Sequence, residues 1–127
     1  MADTTLSRDL RNFIAGHIQS VEHLEILCLL AQEPGKAWTV ADTYRRIQST
    51  ERSVQEGLQY FVARELLAAD PNGAFRFLPK TAALNTSVLE LVKAYRERRV
   101  AVIETIYKKP IESVQHFADA FRIRKDQ

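Results

Sequence analysis

The feature that most constrains this chain is a change of hydrophobic period. From Ser20 to about Leu66 the apolar residues recur at helical spacing. From there they run in two short extended stretches, Leu67-Ala68-Ala69 and Ala74-Phe75-Arg76-Phe77-Leu78, separated by Asp70-Pro71-Asn72-Gly73. The separator supplies a fixed φ at Pro71 and tolerance of positive φ at Asn72 and Gly73, as a tight reversal requires. A helical block giving way to one hairpin predicts a mainly α fold with a small β element, an α+β class.

Within the helical block the boundaries are written in cap residues. Ser20 precedes a helix that buries Leu24, Leu27, Cys28 and Ala31, with Glu22 in the first turn beside the positive end of the helix dipole, and Pro34-Gly35 stops it. Trp38 lies in a short extended piece. Thr39 then caps a second helix, with Asp42 three residues on in a weak capping box and an apolar stripe of Val40, Tyr44 and Ile47. Gln48-Ser49-Thr50 makes a turn, and Ser49 or Thr50 caps a third helix to about Leu66 with a core face of Val54, Leu58, Phe61 and Val62. The order is helix, short strand, helix, turn, helix, hairpin.

The stretch Ser49 to Leu67 resembles the recognition-helix region of bacterial winged-helix regulators of the MarR and PadR-like kind. Ser53-Val54, Leu58, Phe61-Val62 and Leu66-Leu67 match that pattern, and the resemblance extends over about Ser20 to Leu78. It implies a winged helix-turn-helix unit over residues 20–80; the helical spacing of Leu6, Leu10, Phe13, Ile14 and His17 places an N-terminal helix in 1–19, and a C-terminal helical arm follows in 81–127. Similar sequences often carry Gly before the Leu-Leu pair; here Glu65 stands there, so the third helix is expected to end differently and the angle of the wing stays open.

The implied function is sequence-specific binding of double-stranded DNA by a homodimeric transcriptional regulator. The third helix would enter the major groove and the wing would lie on the backbone. At 100° per residue the face opposite the core presents Arg52, Glu56, Gln59 and Ala63, groups able to read guanine, cytosine and adenine edges. Ser49, Thr50 and Ser53 stand near the helix N-terminus, where hydroxyls and free N–H groups suit a phosphate. Arg45 and Arg46 before the turn, and Asn72, Arg76 and Lys80 around the hairpin, complete the expected DNA-binding set.

Charge distribution does not announce such a surface. The net charge is +2, divided as −1 over residues 1–80 and +3 over residues 81–127. Glu51 and Glu56 would also face a polyanion. The same face therefore admits a second reading, a winged-helix protein-interaction module that binds no DNA.

The C-terminal third predicts a helix from Asn85 or Thr86 to about Lys109, roughly 36 Å long at 1.5 Å per residue. Its stripe of Val88, Leu91, Val92, Tyr95, Val102, Ile103 and Ile106, interrupted by Arg99, is expected to pair with a second copy; packing on its own domain is the alternative. Arg99 would then meet a carboxylate across the interface or extend to water. Pro110 opens a final helix with Ile111, Val114, Phe117, Ala118 and Phe121.

Other chemistry finds little support. Cys28 is the only cysteine, so no intramolecular disulfide or thiolate cluster is expected. His17, His23 and His116 lack metal-ligand spacing, and the four glycines are too scattered for a phosphate loop. No cofactor, no metal and no catalytic role are expected. The longest apolar run, Ile26 to Ala31, is too short for a membrane span, and a cytoplasmic protein is expected. A small-molecule inducer site near Trp38, Tyr44 or Tyr95 stays open beside the plainer reading of these aromatics as core.

Overall fold

The computed structural model describes residues 6–108. Six helices and one two-stranded antiparallel sheet follow in the order α1 (Arg8–His17), α2 (Val21–Ala31), α3 (Val40–Arg46), α4 (Glu51–Ala63), β1 (Leu67–Ala69), β2 (Phe75–Phe77), α5 (Ala82–Glu97) and α6 (Arg99–Lys108). The mainly helical α+β class expected from the sequence is present. No single described helix is long and apolar enough to cross a membrane. The expected final helix beyond Pro110 lies outside the described residues.

Hydroxyl caps start the helices. Ser7, Ser20, Thr50 and Thr81 each accept a hydrogen bond from the backbone N–H three residues on, at 3.1 Å in every case. Thr39 and Asp42 form both bonds of a capping box. α2 is the centre of the molecule: Leu24, Ile26, Leu27, Cys28, Leu30 and Ala31 are all buried, so it is covered on nearly every side. α4 and α5 pack on it, and α1 closes the far side against α5 and α6.

The hairpin has the expected reversal. Leu67 faces Phe77, Ala68 faces Arg76 and Ala69 faces Phe75, with Gly73 at φ +90°. Trp38 extends this sheet by one residue, exchanging two 2.7 Å backbone bonds with Phe75.

Three expectations require correction. α3 buries Thr43, not Tyr44, which is 38% exposed. Thr43 can enter the core because its hydroxyl donates to the Thr39 carbonyl at 2.9 Å and its methyl is left to pack. α4 ends in a left-handed residue despite lacking glycine: Glu65 has φ +67°, Leu66 N–H bonds Phe61 O and Glu65 N–H bonds Val62 O, both at 3.0 Å. These are the two bonds of a Schellman motif, and buried Phe61 and Leu66 supply its usual apolar pair.

The third correction concerns the long C-terminal helix, which is broken. Thr81 caps α5 several residues earlier than expected, and Arg98, at φ −136° and ψ 56°, interrupts the helix before α6. Breaking there lets α5 lie on α2 and α1 while α6 folds against α1. Burial of Val88 and Leu91 on one side of the break, and of Val102 and Ile106 on the other, rewards the bend.

Candidate nucleic-acid interface

α4 is buried on one side and open on the other. Val54, Gly57, Leu58 and Phe61 are buried, while Glu51, Arg52, Gln55, Glu56, Gln59 and Ala63 are exposed. Its position is set mainly by α2. At Gly57 an added Cβ would stand 2.9 Å from Ile26 Cδ1, so the Ile26 side chain of α2 packs directly on the α4 backbone. One turn away the His23 ring lies against Tyr60 and Phe61, at centroid distances of 4.8 and 5.3 Å. His23 Nδ1 is buried without a hydrogen-bond partner, and burial lowers the ring's pKa in spite of neighbouring Glu22.

Glu22 is the residue that sequence reasoning assigned too small a part. Its carboxylate accepts from Ser49 Oγ and from Ser53 Oγ, each at 2.6 Å, joining α2 to both sides of the α3–α4 turn. Ser49 and Ser53, expected as phosphate donors, are thus engaged within the protein. Thr50 is the α4 cap. No local signal relates Glu22 to serines 27 and 31 positions away; only the packing of α2 on α4 brings them together.

The expected cations are mostly paired. Arg45 bonds Asp42 at 2.8 Å and Arg52 bonds Glu56 at 3.3 Å. Lys80 reaches Glu65 at 3.3 Å. These partners are solvent-exposed, and such pairs are worth about 0–1 kcal/mol, so a phosphate or base edge competes with them on even terms. Arg46 instead stands over the Trp38 ring at 5.8 Å.

Arg76 is held more firmly. It bonds the Asp70 carboxylate from Nε and Nη2, at 2.7 Å for the shortest contact, and donates to the Gly35 carbonyl at 2.8 Å. The Arg76 guanidinium draws the Asp70 carboxyl below its usual range, and Asp70 in turn raises Arg76. Arg76 therefore ties the hairpin to the loop after α2, a correction to its expected role as a free backbone contact. Asn72 is exposed at the hairpin tip and its Oδ1 accepts from Ala74 N–H at 3.2 Å.

The stripe expected to form a dimer interface is largely spent inside the chain. Val88, Leu91, Val102 and Ile106 are buried in the core, and Val92, Tyr95 and Ile103 are partly covered. Arg99 pairs with this chain's own Glu25 at 3.9 Å and stacks over Tyr95 at 4.6 Å, while Tyr95 OH donates to Glu25 at 3.4 Å. Among the described residues, the large apolar side chains left outside are Leu89, Val100 and Tyr107 on these helices, Leu78 after the hairpin and Tyr44 on α3.

Of the three aromatics considered for a ligand site, Trp38 is core and Tyr44 lies on the surface. Tyr95 borders a groove of about 310 Å³ with Cys28, Gln32, Val92, Arg96 and Arg99. The Cys28 thiol in its lining is pushed up to about 12, first by burial and then by Glu25, so it stays protonated at neutral pH.

Compared with known proteins, the chain matches no family model, no curated protein and no solved structure.

Proposed function

We propose that α2, α3, α4 and the β1–β2 hairpin make a winged helix-turn-helix unit, and that the protein is a homodimeric, DNA-binding transcriptional regulator. One observation carries the reading: α4 is a 13-residue helix with an entire polar face left open beside a turn and a hairpin. A helix about 10–12 Å across fits a major groove about 12 Å wide. In this reading Arg52, Glu56 and Gln59 meet base edges, and Arg45, Arg46 and the exposed Asn72 lie toward the backbone. Two copies would present their α4 helices about 34–36 Å apart, one turn of DNA.

The test is selection from a random duplex pool, followed by binding measurements across a range of salt. Expected are detectable binding at low ionic strength and an affinity that falls with salt. Arg52→Ala and Gln59→Ala should each cost about 1–3 kcal/mol on the selected sequence and much less on unrelated duplex. Binding that is undetectable at low salt, or indifferent to both substitutions, overturns the proposal.

The charge balance favours a second reading, a protein-binding adaptor. Over residues 40–63, Arg45, Arg46 and Arg52 are offset by Asp42, Glu51 and Glu56, and a face without net charge attracts a polyanion weakly. Recovery of a stoichiometric protein partner, with no nucleic acid retained, supports this reading over the first.

A further inference from the structure

The two hydroxyls most suited to hold a phosphate at the start of α4 are occupied by the protein's own anion. Ser53 is the third residue of α4 and Ser49 immediately precedes its cap, so Glu22 lies near the positive end of a helix dipole. Its two 2.6 Å contacts have the length of charge-assisted O–H···O⁻ bonds, one to each carboxylate oxygen. The carboxylate is carried on a backbone held against α4 by His23 and by the close approach at Gly57. The side chain alone therefore decides whether the serines are free.

We propose that Glu22 is a phosphate filter that suppresses sequence-independent DNA binding. By engaging Ser49 and Ser53 it withdraws two donors that would serve any phosphate. It also sets a fixed negative charge where the DNA backbone would pass. Binding then depends on what Arg52 and Gln59 find on the base edges. The inference rests on the DNA-binding reading above.

A purely structural clamp and a phosphate filter predict opposite results for Glu22→Gln. The amide keeps the length and a hydrogen bond to each serine but removes the charge. Loss of a clamp weakens all binding. Loss of a filter tightens binding to a short duplex of random sequence, by about tenfold near 0.1 M salt, and steepens the salt slope by about 0.9, as expected for one charge. The selected sequence carries the same phosphates and should tighten by a similar factor. Ser49→Ala with Ser53→Ala, which retains the carboxylate, should bind random duplex no more tightly than wild type. Glu22→Ala supplies the same readout if the glutamine variant does not fold, with thermal unfolding as the check on folding.

Wild-type selection without tighter random binding by folded Glu22→Gln or Glu22→Ala overturns the role of Glu22 and leaves the DNA reading standing. Binding to random duplex that appears only when Glu22 is replaced supports the filter. Absence of binding by wild type and both Glu22 variants overturns both.

Discussion

Glu65 occupies a conformation that a side chain ordinarily avoids. A non-glycine residue at φ +67° carries a steric cost of roughly 1–2 kcal/mol. It is tolerated because the two Schellman bonds and the Phe61–Leu66 contact fix the backbone there. Glu65→Gly should raise stability by about 1 kcal/mol, since the exposed pair with Lys80 contributes little and the strain is relieved. Thermal or denaturant unfolding measures this; an unchanged or lower midpoint would argue against it. The sequence marked this position only by a missing glycine. It did not reveal that the bonds after Phe61 and Val62 would impose the left-handed turn regardless.

At the scale of elements, local chemistry was legible and contacts between elements were not. The caps at Ser20, Thr39 and Thr50 and the reversal at Asp70 to Gly73 involve neighbours in the chain, and each formed as expected. The Arg98 break has no Pro or Gly to announce it; it follows from the docking of α5 and α6 on other helices. The Glu22–Ser49–Ser53 link likewise exists only once α2 lies on α4.

That same packing makes stability depend on pH. Burial keeps the folded His23 ring below its ordinary pKa of 6.5, and His17 is lowered mainly by burial as well. As pH falls through about 6.5 the unfolded chain takes up protons that the folded chain still refuses, so stability declines below about pH 7. The decline levels off once the folded rings are also protonated. His23→Phe preserves an aromatic ring against Tyr60 and Phe61 and should flatten part of this slope between pH 7 and 5.5. An identical pH dependence of unfolding in the variant would remove His23 from the account.

Across the whole molecule, the decisive difference between expectation and structure is where the C-terminal stripe goes. An apolar face of that length reads equally as half of a dimer or as part of a core, because periodicity reports burial and not the identity of what buries it. In the structure Val88, Leu91, Val102 and Ile106 complete the core around α2 and α1. Leu91→Ala should therefore cost about 2–5 kcal/mol, and the loss should be the same in dilute and concentrated protein. A loss that shrinks as concentration rises would return Leu91 to an intersubunit role. Any contact between copies has to draw largely on other surface, since of the expected set only Arg99 is exposed and it already pairs with Glu25.

α2 also has a mechanical character. Glu22 grips the start of α4, and Glu25, three residues later on the same rigid rod, grips Tyr95 and Arg99 where α5 gives way to α6. The two grips sit within one helical pitch, about 5.4 Å. A pull on Tyr95 or Arg99 is thus felt within one turn of the residue that steadies the start of α4, as on a short crank whose handle and load share one axle.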